Sequence, residues 1–126
     1  MSLSLVLSGS LQYTGNNLVL SVGTLSLTAS VAGNGLNSEN SVTVPTTAAA
    51  IPVSSLTGGV ASGGWLYVKN LDPTNYMTLL TGTGGVAFAT LLPGEFFLGR
   101  LAPGLTAPFW SAHTATVQAT LAIFDI

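Results

Sequence analysis

The sequence predicts an all-β protein, a jelly-roll-like antiparallel β-sandwich with almost no helix. Apolar residues alternate with Ser and Thr at a period of two, which places the two sets on opposite faces of a strand. Turn signals that contain Gly or Pro separate short runs of this kind. No segment sustains the period of an amphipathic helix. Short strands at this spacing are typical of a β-sandwich or a jelly roll.

The chain length predicts one folded unit with two parts. The 126 residues are within the usual size of a single domain. Residues 1–63 are expected to form a β-rich N-terminal hairpin and an extended segment for attachment or oligomerisation. Residues 64–126 are expected to form the C-terminal sandwich portion.

The N-terminal part begins with two alternating runs, which together cover residues 1–31. Gly15 to Asn17 lie between them and tolerate left-handed turn conformations, so the two runs should form a hairpin. Asn37 to Asn40 have the composition of a loop, and Ser41 to Val44 are predicted to form a short strand. The segment from Thr46 to Gly64 is either extended along a neighbouring subunit or an ordinary surface connection.

A strand over Gly64–Asn70 is the centre of the C-terminal part. Both of its faces are largely apolar, so we expect it to lie inside a sheet and to be covered on both sides. One face carries Trp65, Tyr67 and Lys69, and the other carries Leu66, Val68 and Asn70. Further strands are predicted over Asn75–Thr81, Val86–Leu92, Glu95–Leu101, Phe109–His113 and Thr116–Phe124. In the last of them, Val117, Ala119, Leu121 and Ile123 share one face.

Two tight turns flank these strands. In the sequence from Asp72 to Asn75, an Asp precedes a Pro whose ring fixes the first central φ of a type I turn. In the sequence from Leu92 to Glu95, the Pro-Gly pair fits a type II turn, and Gly94 supplies its positive φ.

Charge is scarce throughout the chain. It has two Lys or Arg and four Asp or Glu, so that 5% of its residues are charged and 48% are hydrophobic, whereas about 25% of an ordinary soluble domain is charged. This composition predicts that copies of the chain or a larger assembly cover much of its surface. Alternatively, Ser, Thr, Asn and Gly solvate the surface alone.

The composition also excludes several partners. Two basic residues cannot neutralise the several phosphates on which nucleic-acid binding depends, so no nucleic-acid partner is expected. The same count excludes a polybasic membrane patch. No apolar run reaches the length of about 18 residues that a membrane-spanning helix needs, and we expect no membrane partner.

The sequence contains little that would support catalysis. His113 is the only histidine, and Ser111 and Asp125 are the residues that would complete a hydrolytic triad with it. No G-x-S-x-G motif accompanies them, and Asp72 and Glu95 are each explained by a turn. The chain has no cysteine and one histidine, which predicts no metal centre and no cofactor. We therefore predict that the protein is not an enzyme.

Aromatic and charged residues concentrate in the C-terminal part. Four aromatic residues fit either a sugar-stacking platform or core and interface packing: Trp65, Tyr67, Tyr76 and Trp110. Four charged residues are expected to form ion pairs that pin loops or subunit contacts: Lys69, Asp72, Glu95 and Arg100.

The pattern WLYVKNLDPTNYMTLL, followed by LLPGEFFLGRLAPG and by the closing strand ATVQATLAIF, resembles small virion accessory proteins of tailed bacteriophages. In that family an N-L-D-x-T-N-Y strand-turn-strand precedes an L-x-P-G-E-x-x-x-x-R motif and a terminal apolar strand. The resemblance covers residues 64–124. The matching residues are Lys69, Asn70, Leu71, Asp72, Thr74, Asn75 and Tyr76, then Leu91, Pro93, Gly94, Glu95 and Arg100.

The resemblance implies a non-enzymatic structural protein of the virion, a capsid decoration or cement subunit or a head-fibre subunit. Such a protein would form a homo-oligomer, expected to be a trimer, and would bind the major capsid protein or other virion proteins. It would be made in the host cytoplasm and reside on the capsid surface or the tail. The alternatives are a receptor- or glycan-binding module of a tail or fibre tip, and a coat or tail-tube subunit.

The motif residues are expected to have structural or interface roles. They are Trp65, Tyr67, Lys69, Asn70, Asp72, Asn75, Tyr76, Pro93, Gly94, Glu95, Arg100 and Trp110.

Overall fold

The computed structural model describes residues 3–15, 18–31, 36–52, 65–102 and 108–124. All regular secondary structure in these ranges is β-strand, which confirms the all-β prediction. The chain divides into two compact units, Met1–Gly33 and Asn34–Ile126. The predicted division between residues 63 and 64 falls inside the second of these units, because strands that precede residue 63 belong to its sheets.

The first unit contains a hairpin of two long antiparallel strands. Strand β1 covers Leu3–Gly15 and strand β2 covers Leu18–Val31. Their pairing runs from Leu3 opposite Val31 to Gly15 opposite Leu18. The two predicted strands of the hairpin are thus confirmed, and the expected turn residues Asn16 and Asn17 lie outside the described residues.

The second unit is a sandwich of two four-stranded antiparallel sheets. Its strands are β3 (Leu36–Val44), β4 (Ala49–Ala50), β5 (Trp65–Asn70), β6 (Met77–Leu80), β7 (Ala87–Leu91), β8 (Phe96–Arg100), β9 (Phe109–Ala112) and β10 (Val117–Phe124). One sheet has the order β3-β10-β5-β8 and the other has the order β4-β9-β6-β7. This is the strand order of an eight-stranded jelly roll, so the predicted sandwich is confirmed.

A single hydrophobic core fills the space between the two sheets. The alternation in β10 places Val117, Ala119, Leu121 and Ile123 on one buried face, as predicted. The other buried hydrophobic residues are Val44, Ile51, Leu66, Val68, Met77, Leu79, Leu91, Leu101, Trp110 and Ala112. Both sheets contribute, and strands β5, β6 and β9 alternate between buried and more exposed positions.

Strand β3 is longer than its sequence suggests. The prediction of a loop at Asn37 to Asn40 is wrong, because these residues are part of β3 and pair with β10. The pairing places Leu121 opposite Glu39, Ala122 opposite Ser38 and Ile123 opposite Asn37. Hydrogen bonds to a strand that lies about eighty residues away in the sequence thus override the turn preference of Asn and Ser. The short strand predicted at Ser41 to Val44 is the end of β3.

Part of the segment after Val44 belongs to the sandwich. Ala49 and Ala50 pair with Trp110 and Phe109 of β9, and the backbone N–H of Ile51 donates to the carbonyl of Pro108 at 2.9 Å. Ile51 is buried in the core. Residues 49–51 therefore pair within their own sandwich, and residues 53–64 lie outside the described residues.

The strand β5 lies inside its sheet, as predicted. It pairs with β10 on one side and with β8 on the other. Leu66, Val68 and Asn70 are buried in the core, whereas the alternate residues on the outer face are only half-buried. The chain itself therefore covers one face of β5 completely and the other face in part.

Candidate functional site

The two turn motifs meet at one end of β5, around the buried side chain of Asn70. Its Nδ2 donates to the carbonyl of Asn75 at 2.9 Å and to the carbonyl of Leu91 at 3.1 Å. Its Oδ1 accepts a hydrogen bond from the backbone N–H of Asp72 at 2.9 Å. Asn70 is the one polar residue among the fully buried side chains of the described residues. Because a buried amide requires partners, these bonds fix both turns relative to β5.

The first turn is closed by a side chain. The Asp72 Oδ1 accepts hydrogen bonds from the backbone N–H of Thr74 at 2.7 Å and of Asn75 at 2.6 Å. The chain reverses where the sequence predicted, and a carboxylate takes the place that a backbone carbonyl has in a simple type I turn. The hydrogen bonds from Asn75 and then from Thr74 lower the pKa of Asp72 below its ordinary value of 3.8.

Replacing this carboxylate should change how stability depends on pH. A pKa lower in the folded state than in the unfolded state adds stability that is complete above the ordinary pKa of 3.8 and is lost as the pH falls through the folded value. We therefore expect Asp72→Asn to be less stable than the native chain at pH 7 and to lose less stability on acidification. Urea unfolding between pH 7 and pH 2.5 measures both effects. Parallel pH profiles for the two proteins would contradict the assignment.

The second turn is the type II turn predicted at Leu92 to Glu95. The backbone N–H of Glu95 donates to the carbonyl of Leu92 at 3.0 Å, and Gly94 has a φ of 80°. The left-handed φ favours Gly, because it places a side chain in steric conflict with the backbone. The Glu95 Oε2 also accepts a hydrogen bond from the backbone N–H of Leu92 at 2.8 Å. Each of the two turns is thus held by a carboxylate.

Backbone hydrogen bonds attach the second turn to β5 and attach β5 to β10. The N–H of Asn70 donates to the carbonyl of Glu95 at 2.9 Å, and the N–H of Gly94 donates to the carbonyl of Asn70 at 3.0 Å. The N–H of Leu71 donates to the carbonyl of Gln118 at 2.9 Å. We call Asn70, Asp72, Asn75, Gly94 and Glu95 the turn node. Its polar groups serve mainly to hold its own backbone together.

Both basic residues of the chain lie on the outer face of the β5–β8 pair. Arg100 is opposite Trp65 and Lys69 is opposite Phe96, and residues opposite one another share a face. The guanidinium carbon of Arg100 lies 5.3 Å from the centroid of the Trp65 ring, within the range of a cation–π contact. The rings of Tyr67 and Phe96 lie 5.9 Å apart on the same face. We call this surface the aromatic–cation face.

The expected ion pairs are not present among the described residues. Asp72 and Glu95 accept hydrogen bonds from backbone N–H groups, and Arg100 lies over an aromatic ring. The prediction that these side chains pin loops by pairing with one another is therefore wrong within the described part of one chain. Backbone N–H groups within three residues of each carboxylate donate to it and satisfy it locally.

The four aromatic candidates do not share one surface. Trp110 is 2% exposed and packs in the core, so a sugar platform that includes it is wrong. Tyr76 stacks on His113 with ring centroids 4.4 Å apart. Trp65 and Tyr67 lie on the aromatic–cation face. The Nε1 of Trp65 is buried and has no hydrogen-bond partner among the described residues.

The geometry around His113 does not assemble a triad from the described residues. The Ser111 Oγ donates to the carbonyl of Thr46 at 3.0 Å, and the His113 Nδ1 lies 3.3 Å from the Thr114 Oγ1. Asp125 lies outside the described residues. Within the ranges that the structure describes, no three His, Cys, Asp or Glu residues lie close enough to hold a metal ion. The same ranges contain no helix long and apolar enough to cross a membrane.

The sequence reasoning missed a set of exposed apolar side chains along and beside β7 and β8. Val86 is 77% exposed and Phe96 is 58% exposed, and Leu92 and Phe88 are also exposed. The run LLPGEFFLG contains the signal, because neighbouring residues of a strand point to opposite faces. Phe96 and Phe97 cannot both face the core, and Phe97 is the one that packs against it.

No family model matches this chain, and no curated protein or solved structure does. The described residues offer a turn node whose polar groups hold its own backbone together, and exposed apolar and aromatic side chains beside it.

Proposed function

We propose that this protein is a non-enzymatic structural subunit of a tailed-bacteriophage virion, which decorates or cements the capsid or forms part of a head fibre. The observation that carries the proposal is the turn node. The two motifs by which the sequence resembles virion accessory proteins meet there in space, and their chemistry is structural: an amide and two carboxylates hold two turns.

The surface of the sandwich supports a role in assembly. Five large hydrophobic side chains between residues 71 and 96 are exposed, namely Leu71, Val86, Phe88, Leu92 and Phe96. Exposed apolar groups in a chain with 5% charged residues favour association over dispersion. We propose that copies of the chain form a homo-oligomer, as a trimer, and that the major capsid protein or another virion protein is the second partner.

The two compact units suggest a division of roles. The sandwich has a core of its own and would form the oligomer. The hairpin of β1 and β2 would attach to a neighbouring virion protein by strand addition, since a two-stranded hairpin has two sheet edges. Contacts repeated across a symmetric particle gain avidity, so modest interfaces suffice.

A deletion of the first unit tests this division. A chain of residues 34–126 should remain folded, because the core cluster lies entirely within it. We expect it to lose binding to capsids that lack the native protein, as measured by co-sedimentation. The full chain with Thr83→Ser, a small change at an exposed turn, is the control and should bind normally. Binding of the truncated chain at the native level would contradict attachment by the hairpin.

A second candidate is a receptor- or glycan-binding module of a tail or fibre tip. The half-exposed rings of Trp65 and Tyr67 on the aromatic–cation face favour it. Quenching of Trp65 fluorescence by acrylamide in the assembled particle distinguishes the two roles, since a receptor site remains accessible and an interface does not. A coat or tail-tube subunit would be distinguished from a decoration subunit by its copy number per particle.

A further inference from the structure

Four strands form the edges of the two sheets, and three of them have features that discourage further pairing. Strand β3 has an irregular register with β10 between Ala119 and Leu121. Strand β4 is two residues long and lies between Pro45 and Pro52. Strand β7 has a register shift against β6 that leaves Phe88 as the extra residue. Bulges, short length and proline are the usual means by which proteins block an edge.

Strand β8 has none of these features. Its five residues pair with β5 in an uninterrupted register from Trp65 opposite Arg100 to Lys69 opposite Phe96, and it contains no proline. Its other side pairs with no described strand. It therefore presents a regular row of backbone donors and acceptors that another strand can extend.

The hydrogen-bonding pattern identifies which residues form that row. The N–H and the carbonyl of Asn70 both bond toward the second turn and β8, and the orientation alternates along β5. Leu66 and Val68 therefore bond to their partners Gly99 and Phe97. On β8 the alternate residues, which are Phe96, Leu98 and Arg100, direct their N–H and carbonyl groups away from β5.

We propose that the outer edge of β8 pairs with β8 of a second copy of this chain, antiparallel about a two-fold axis through Leu98. In this register Leu98 lies opposite the partner's Leu98, and Phe96 lies opposite the partner's Arg100. All three outward N–H groups of each copy then meet outward carbonyls of the other copy. The four-stranded sheet that contains β8 in one copy then joins the same sheet of the second copy, and the two form one continuous sheet with twice as many strands.

The side chains on the aromatic–cation face select a second copy as the partner. Because Trp65 lies opposite Arg100 and Lys69 lies opposite Phe96, the axis generates a row of alternating character. Across the joined sheet, the row consists of Trp65 on β5, Arg100 on β8, the partner's Phe96 and the partner's Lys69. The two-fold axis generates a second row of the same residues in the opposite direction. Each cation then has an aromatic ring beside it, and the exposed Phe96 gains a covering neighbour.

Other registers that keep the same row of backbone groups are less favourable. An axis through Arg100 would place the two guanidinium groups opposite each other, and like charges directly opposite are destabilising. An axis through Phe97 would pair Phe96 with Leu98 and would leave Arg100 opposite the turn at Gly94. The axis through Leu98 is thus the one that pairs all three residues of the row without a like-charge contact.

This inference deepens the proposed function, because it rests on the self-association proposed there and names the surface responsible. It does not depend on the virion role. A two-fold contact joins two copies, so where the chain also forms trimers through another surface, two-fold axes that cross the three-fold axis at right angles give a hexamer.

A charge exchange at Leu98 tests the two-fold axis directly. Light scattering over a range of concentrations should give the native chain a mass of two chains of 12.7 kDa, or of six where trimers pair. Leu98→Lys places two ammonium groups at the axis, and Leu98→Glu places two carboxylates there, so each variant alone should lose the two-fold contact. An equimolar mixture should regain it, because lysine then lies opposite glutamate. Thr90→Lys, on the exposed edge of β7, is the matched control and should keep the native mass.

The outcomes separate this inference from the proposed function. A native mass unchanged in Leu98→Lys, or no recovery in the mixture of folded variants, would overturn the pairing of β8 and leave self-association standing. A native chain that stays at the mass of one chain would overturn both. A mass that responds as expected, in a protein that does not bind capsids, would support the β8 contact and contradict the virion role.

If Leu98→Lys has lost its β-sheet circular dichroism, Phe96→Lys is used in its place. Phe96 is 58% exposed, and this variant should also lose the contact.

Discussion

Asn70→Ala is expected to lower the free energy of unfolding by about 3–5 kcal/mol. It removes the hydrogen-bond partner of three backbone groups, and each such loss costs about 1–3 kcal/mol where the group is buried. The substitution leaves three backbone groups without the amide: the carbonyls of Asn75 and Leu91, and the N–H of Asp72. It also disconnects the first turn from the end of β7. Urea unfolding followed by tryptophan fluorescence measures the change.

The control for this prediction is Gln118→Ala. The Gln118 amide also makes two side-chain hydrogen bonds, with the hydroxyls of Ser41 and Thr43. These bonds are exposed to water, which replaces the lost partner, so the substitution should cost less than about 1 kcal/mol. An equal loss of unfolding free energy in the two variants would mean that burial does not explain the contribution of Asn70 to stability.

Trp110→Ala is expected to destabilise the sandwich by about 3–5 kcal/mol, the usual cost of removing a large buried aromatic side chain. Trp110 is 2% exposed and belongs to the core cluster, on a strand that pairs with both β4 and β6. The substitution opens a cavity between the two sheets. Thermal unfolding by circular dichroism measures the effect.

Trp65→Ala is the matched comparison for Trp110→Ala. Trp65 is half-buried and lies on the outer face of β5, where water can fill the space that the ring leaves. We expect a loss of stability clearly smaller than that of Trp110→Ala. A Trp110→Ala protein as stable as the native chain would contradict the core role of Trp110 and would reopen its assignment to a binding surface.

The parts of the fold that the sequence predicted are those encoded by neighbouring residues. The alternation in Val117 to Ile123 was sufficient to define the buried face of β10. The Pro-Gly pair before Glu95 was sufficient to define a type II turn with Gly94 at positive φ. In each case the physical cause, a side-chain period or a restricted φ, lies within a few residues of its effect.

The parts that the sequence could not predict depend on residues that are distant in the chain. Asn37 to Asn40 are strand because β10 pairs with them. The role of Asn70 depends on the carbonyl of Leu91, which only the fold brings to it. Its place in the same alternation as Leu66 and Val68 did predict burial, and a buried amide must find partners. The identity of those partners was not encoded locally.

The position of β10 between β3 and β5 also has a consequence for biosynthesis. A ribosome produces residues 36–44 and 65–70 well before residues 117–124, yet the late strand separates the two early ones. The sheet therefore lacks one of its two inner strands until residue 124 has been synthesised, and until then the edges of β3 and β5 that pair with β10 have no β10 to bind. The sheet can therefore form completely only after this late strand is available, and pairing between such distant segments predicts folding that is slow for a domain of this size.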